Sequence, residues 1–283
     1  MNTYTCRTAT ATDKDDIRSL YQQTFNDTEQ FVTRLFNQVY PNACVAVVEC
    51  DGTVVAAGML LTYQANLQKE NIKCGYIYAL MTHEAHRRQG CMRMVLAQLE
   101  DEARRRNMGF LFLVNATNKL KQIYTKFGFA SVGELAKETI EIGTNNEASV
   151  EITPADFNYA FGMLYEKNDS HLMLSREQLL FEFDTLQEEH GCNILAASCG
   201  QTAWILGKPD SHKVFHLLAY FGDHRVVSAA AIALAKDNNC TQVSLLRKPK
   251  YYYRVGYGMA KPLSTDINTK ALKRLNISLV MDI

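Results

Sequence analysis

An excess of charge of either sign is missing from this chain. Thirty lysines and arginines stand against thirty aspartates and glutamates, a net charge of zero. No global field draws such a molecule to a nucleic acid or to an anionic membrane. Long hydrophobic runs are missing as well. No apolar stretch is long enough to cross a bilayer, and Met1-Asn2-Thr3-Tyr4-Thr5-Cys6-Arg7 lacks the apolar core of a secretory signal. Cysteine is present without pattern: Cys6, Cys44, Cys50, Cys74, Cys91, Cys192, Cys199 and Cys240 stand singly, with no CxxC pair and no clustered Cys/His ligands. Such thiols read as small buried hydrophobes in a reducing compartment. No metal is expected, and the expected location is cytoplasmic.

What is present is enough material for two cores. The chain has 283 residues, 47% of them hydrophobic and 21% charged, which exceeds the usual single domain. Residues 4–8 alternate as a strand, and Thr12 to Asp16 starts a helix with Ile17, Leu20, Tyr21 and Phe25 at helical spacing. A second helix is expected from Glu29 to Val39, ending before Pro41. Cys44 to Glu49, an Asp51-Gly52 turn and Thr53 to Thr62 read as a hairpin, followed by a strand from Cys74 to Thr82. A helix from about Cys91 to Asn107, a buried strand Phe110 to Val114, a helix over 118–127 and a strand Val132 to Ile142 complete the first half.

The junction between that strand and helix carries the chemistry. His86-Arg87-Arg88-Gln89-Gly90 is a short basic loop that opens directly into a helix. Backbone N–H groups at a helix N-terminus, the helix dipole and two arginines together favour a phosphate. Glycine lets the backbone approach an anion with no Cβ in the way. With a net charge of zero over the whole chain, this local feature suits a small phosphorylated ligand better than a polymer. A second signal follows at Tyr124-Thr125-Lys126-Phe127-Gly128-Phe129, a helix end with a tyrosine four residues before a glycine.

After the polar stretch Gly143 to Ser149, the expected linker, the order of elements recurs. Ile152 to Asp156 is read as a helix cap. Cys192 to Leu206 is read as a hairpin around Cys199-Gly200, Val214 to Tyr220 as a strand, His224 to Asp237 as a helix and Gln242 to Arg247 as a strand. Tyr252 to Tyr257 repeats the Tyr124 to Phe129 pattern, and Tyr251-Tyr252-Tyr253 is expected to pack between domains. Gly52 and Gly200 are 148 positions apart but Gly128 and Gly256 only 128, so the second copy is 20 residues shorter between its hairpin and this motif. The second copy has no basic loop: Phe221-Gly222-Asp223-His224-Arg225 sets an aspartate where a phosphate would need room. The reading is a divergent internal duplication with one phosphate seat, its domains spanning 1–143 and 150–283.

In residues and order this resembles the GNAT N-acetyltransferase superfamily, whose pyrophosphate loop is written Arg/Gln-x-x-Gly-x-Gly/Ala. Arg87 and Gly90 fit, while Met92 replaces the last small residue. His-Arg-Arg-x-Gly followed by two large apolar residues and an arginine, with Ile123-Tyr124-Thr125-Lys126-Phe127-Gly128-Phe129, is similar to the enhanced-intracellular-survival (Eis-like) group. That group places a second, CoA-free GNAT-like domain after the first. The resemblance implies an α/β (α+β) architecture of tandem GNAT folds, each a mixed, mostly antiparallel sheet flanked by helices, the second divergent.

The resemblance also implies an acetyl-CoA-dependent N-acetyltransferase acting on a primary amine of a small molecule or peptide. Arg87, Arg88, Gln89, Gly90, Cys91 and Met92 would hold the pyrophosphate. Leu80, Met81 and Thr82 would flank the pantetheine arm, with the Leu80 or Met81 backbone N–H on the thioester oxygen. Tyr124 would donate to the departing thiolate, a transfer from a phenol to a thiol that is uphill by roughly 2 kcal/mol. His83, Glu84, Asp27 and Glu29 are candidates for the amine base, with a water chain as an equal alternative. Cys91 lacks a paired histidine, so direct transfer is expected over an acetyl-cysteine. The second domain would wall the acceptor cleft or mediate a homo-oligomer. The alternatives are an acyl-CoA-binding module without turnover and a tandem-GNAT transferase using another acyl donor.

Overall fold

Strand β1 (Tyr4–Thr8) opens the chain and pairs antiparallel with β2 (Cys44–Cys50). The computed structural model describes residues 3–115, 117–143, 149–156, 170–247 and 255–275. The chain divides into two compact units, Met1–Ala130 with Gly258–Leu272, and Ser131–Tyr257 with Lys273–Ile283.

In the first unit, helix α1 (Lys14–Thr24) buries Ile17, Leu20 and Tyr21, as their spacing requires. Helix α2 (Glu29–Arg34), capped by the Thr28 side chain, does not run on to Val39 as an α-helix; Leu35–Val39 widens into one π-helical turn, and Pro41 sits in a 3-10 turn beyond it. β2 and β3 (Thr53–Leu67) form the expected hairpin, with Asp51 at φ 51 and Gly52 at φ 81 in its turn. β3 and β4 (Glu70–Thr82) are longer than the sequence suggests. They continue as a ladder to Leu67/Glu70 and close on Gln68 and Lys69, both with positive φ. Two non-glycine residues in that conformation hide this turn from a search for Asn-Gly or Asp-Gly.

Helix α3 (Cys91–Arg105) packs on β2, β3 and β4 through Val95, Leu96, Leu99 and Ala103. Strand β5 (Phe110–Leu113) lies parallel to β4, and helix α4 (Asn118–Lys126) follows it, capped by Thr117. The strand order is β1-β2-β3-β4-β5, and β5 is then flanked by β13 (Val255–Pro262), which pairs Met259 with Leu113 and Pro262 with Phe110.

The second unit has a similar strand order. β7 (Glu151–Pro154) takes the place of β1, so Ile152 to Pro154 is a strand where a helix cap was expected. β9 (Cys192–Ser198) and β10 (Gln201–Pro209) form the hairpin around Cys199 and Gly200, both with positive φ. β11 (Val214–Gly222), α6 (His224–Asp237) and β12 (Gln242–Arg247) follow, with β12 parallel to β11 as β5 is to β4. β8 (Ser170–Met173) and α5 (Arg176–Glu188), the latter closed by a Ser175/Gln178 capping box, have no counterpart in the sequence reading. The sheet order is β7-β9-β10-β11-β12, and its next strand is β6 (Ala130–Glu141), antiparallel to β12.

The final strands are therefore exchanged. β6 follows α4 in sequence yet completes the second sheet, and residues 259–262 of β13 follow the second repeat yet complete the first. The units cross the 1–143 and 150–283 boundaries for this reason, since each repeat ends its sheet with the other repeat's last strand. Residues 144–148 of the expected linker and 251–254 of the tyrosine motif lie outside the described residues.

Candidate active site

Three features of the first unit converge on the C-terminal end of β4. The first is a break in register. Ala57 faces Met81 but Met59 faces Tyr78, so β4 carries one residue more than β3 across this step. Ala79 absorbs it at φ 50, an uncommon conformation for a residue with a Cβ and a mark of a β-bulge. Gly58 lies opposite: a Cβ there would meet Leu80 Cδ2 at 2.6 Å and Val95 Cγ1 at 2.8 Å. The missing side chain lets α3 and Leu80 close over the bulge.

The second is a parting of strands. The parallel β4–β5 ladder runs from Cys74/Phe110 to Tyr76/Phe112, while β4 continues to Thr82. Leu80, Met81 and Thr82 lie in that continued segment, beyond the bulge. Ile77 belongs to the core under α3, so Tyr76 and Tyr78 face the other side of the sheet by alternation. There Tyr76 stacks on Phe112, with ring centroids 4.8 Å apart.

The third is the loop into α3. Arg87, Arg88, Gln89 and Gly90 are all exposed. Arg87 Nε donates to the Thr82 carbonyl at 3.3 Å, and Arg88 takes φ 65. Gly90 is the N-cap of α3 at φ 86, with no side chain capping the helix, and a Cβ on it would meet nothing within 4 Å. The Gly90 carbonyl accepts from Arg93 N and Met94 N. A left-handed residue with open space above it, at an uncapped helix start flanked by two exposed arginines, fits a phosphate. α6 makes the contrast. Its N-cap Asp223 accepts from Arg225 N at 2.9 Å and Val226 N at 3.3 Å through Oδ1, so a carboxylate of the protein itself occupies the place of an anion.

Behind the loop, Cys91 is 2% exposed and its thiol is pushed up by burial, which keeps it in the weakly nucleophilic protonated form. Met92 packs half-buried on the same core, and Arg93 stands over the Phe127 ring at 5.9 Å. Tyr124 is 7% exposed and joins the core of Cys91 and Val95, its ring edge-on to Phe129. α4 ends in a tight turn in which Phe127 N and Phe129 N donate to the Tyr124 carbonyl, with Gly128 at φ 87. The Tyr-to-Gly spacing thus fixes how the helix bearing Tyr124 ends.

The base candidates separate. Glu29 is engaged by Arg18 and accepts from Gln22 Nε2 and Thr33 Oγ1, a support for the start of α2. Glu84 is exposed in a 3-10 turn. His83 keeps a buried Nδ1 with no hydrogen-bond partner among the described residues, and its ring lies 5.8 Å from that of His86. One group was missed by the sequence reading: Asn115, two residues after β5, has a buried Oδ1 with no partner among the described residues. A polar residue ending the apolar run 110–114 was the available signal.

The family described as an acetyltransferase (GNAT) domain matches residues 5–132. The match spans β1 to the start of β6 and includes the bulge, the basic loop and Tyr124. No curated protein matches the chain. Among solved structures, a probable N-acyltransferase from Enterococcus faecalis V583 superposes with TM-score 0.72 at 13% identity, covering 93% of this chain and 73% of that one. Eis1 from Mycobacterium abscessus gives 0.65 at 8% identity, with coverage of 93% and 74%. A putative acetyltransferase from Pyrococcus horikoshii gives 0.56 at 16% identity, with coverage of 98% and 95%. At these identities the superpositions show a shared fold alone. Within residues 5–132 the bulge, the parted strands and the basic loop are local features of one strand–loop–helix unit. Among the described residues no helix is long and apolar enough to cross a membrane.

Proposed function

We propose that the chain is an acetyl-CoA-dependent N-acetyltransferase whose acceptor is a primary amine of a small molecule or peptide. The observation that carries this reading is the open, uncapped N-terminus of α3 at Gly90, beside Arg87 and Arg88 and directly after the bulged end of β4. The N–H groups of this first turn would take the pyrophosphate of the CoA substrate, and the arginines would add charge from the solvent side. The pantetheine arm would run along Leu80 to Thr82, where β4 has parted from β5. Acyl transfer then needs the thioester carbonyl polarised by a backbone N–H on β4, which is an oxyanion-type contact. Asn115, with its buried carbonyl oxygen, is a candidate to hold an N–H of the same arm.

Tyr124 would donate toward the sulfur as the C–S bond breaks. The protonated state of the buried Cys91 thiol supports direct transfer over a covalent acetyl-enzyme. The test is CoA release on a panel of primary amines, alongside calorimetric binding of acetyl-CoA. Tyr124→Phe should lower turnover about 10²-fold while leaving acetyl-CoA affinity in place. Binding of acetyl-CoA with no turnover on any amine would leave only an acyl-CoA-binding module.

A further inference from the structure

Tyr21 of α1 is 1% exposed and lies under the helix, against the sheet. Its hydroxyl donates to Asp27 Oδ2 at 2.6 Å and sits 3.0 Å from the hydroxyl of Tyr78 on β4, itself 4% exposed. A phenol has one proton to donate. With that of Tyr21 directed to a carboxylate, the bond between the two phenols takes its proton from Tyr78. The three groups form a directed chain, from the Tyr78 O–H to the Tyr21 O–H to the Asp27 carboxylate. A hydroxyl oxygen has two lone pairs, so Tyr78 can accept a proton at the head of the chain while donating its own. Asp27 is exposed, so the tail of the chain ends in water.

The head lies in the place the chemistry needs. Tyr78 immediately precedes Ala79 of the bulge, two residues beyond the last β4–β5 pair at Tyr76/Phe112. It faces the side of the sheet away from α3, whose N-terminus is the phosphate seat. Arg18 of α1 is engaged with Glu29 and Thr33 and stands over the Phe36 ring. Phe25 and Phe36 lie against the Tyr21 ring and Tyr76 against that of Tyr78, and the Asp27 carboxylate is the charged group bonded to the chain.

We infer that Tyr78, Tyr21 and Asp27 form a proton relay that carries the acceptor amine's proton out of the cleft during acyl transfer, a role that rests on the acetyltransferase reading above. The neutral amine forms the new C–N bond as the C–S bond breaks. The nitrogen's proton passes to the Tyr78 oxygen, the Tyr78 proton to Tyr21 and the Tyr21 proton to Asp27, which loses it to water. The leaving sulfur takes one proton from the Tyr124 side, so amide and free thiol are the products and the protons balance. Tyr78 would touch the reacting nitrogen; Tyr21 and Asp27 act through it as positioning residues.

Steady-state CoA release with spermidine and with a lysine-bearing peptide, from neutral to alkaline pH, tests the relay. In Tyr21→Phe and Asp27→Asn, kcat near neutral pH should fall about 10- to 100-fold, the range of a lost proton-transfer path. Acetyl-CoA affinity should stay unchanged, and the deficit should shrink as pH rises and the amine loses its proton directly to solvent. Asp27→Glu should restore most of the rate. Asp27 is exposed, so its variants read out the relay even where Tyr21→Phe disturbs folding. An unchanged pH profile, or a deficit confined to KM, would overturn the relay while leaving the acetyltransferase reading in place. Wild-type protein that binds acetyl-CoA without turnover would overturn both.

Discussion

In the proposed function two arginines, one glycine and one tyrosine would carry the chemistry at the scale of single residues, and each is set by its backbone. Arg87 reaches back to the Thr82 carbonyl while Arg88 turns through positive φ, and both are exposed just before Gly90. Arg87→Ala combined with Arg88→Ala should weaken acetyl-CoA binding at least about 10-fold, since charge-assisted bonds to phosphate each contribute on the order of 1.5–3 kcal/mol. Calorimetry at two salt concentrations checks this; the loss should be larger at low salt. Affinity that does not change would remove the seat from this loop. These residues were legible because loop, glycine and following helix are contiguous. Asn115 and Tyr78 were not. Their significance comes from a buried oxygen with no partner among the described residues and from a tyrosine 57 positions away in sequence, which no local pattern records.

Elements show the same divide between local and non-local signals. The hairpin at Asp51-Gly52, α3, β5 and α4 follow from turn chemistry and periodicity, and they stand where the sequence puts them. The bulge at Ala79 does not announce itself, because alanine is no marker of positive φ and its cause lies across the ladder at Gly58. Gly58→Val tests that coupling. Its side chain would collide with Leu80 and Val95, and overpacking of this kind costs about 1–3 kcal/mol. Thermal melting should show the loss. Acetyl-CoA binding should weaken further than stability alone explains, because the bulge sets the end of β4. A second element-scale device is the start of α1. Arg7 clasps Asp13 through Nη1–Oδ2 at 2.7 Å and Nη2–Oδ1 at 2.8 Å, and also reaches Glu49 of β2. The Arg7 side-chain bonds hold the Asp13 carboxyl well below the usual carboxylate range. A depressed folded-state pKa stabilises above the unfolded value near 4 and is lost as pH falls through the folded one. Asp13→Asn should therefore cost about 2 kcal/mol at neutral pH, with the difference from wild type narrowing in acid. Denaturant melts at neutral pH and below about pH 3 would measure both ends.

Over the whole molecule the informative feature is the exchange of last strands. Periodicity identifies β6 and β13 as strands, but it cannot say which sheet each joins, because both candidate partners are short buried parallel strands of the same kind. Pairing is a long-range choice, and only the register of Met259 with Leu113 and of Gln242 with Glu141 reveals it. Ala260, 1% exposed and opposite Phe112, is the place to test it. Ala260→Pro should destabilise the first unit by more than about 3 kcal/mol and weaken acetyl-CoA binding, although it lies far along the chain from the seat. Intact binding and an unchanged melting temperature would count against β13 as part of that unit.

The exchange also has a consequence in time. Gly258, where the first unit resumes, is made 128 residues after Ala130, where it breaks off. At about 5–20 residues per second of synthesis, the ribosome takes roughly 6–26 s to supply it. Through that interval the loop at Arg87 to Gly90 belongs to a sheet whose outer strand, β5, still lacks its neighbour. Chaperone binding and misassembly should concentrate in that window.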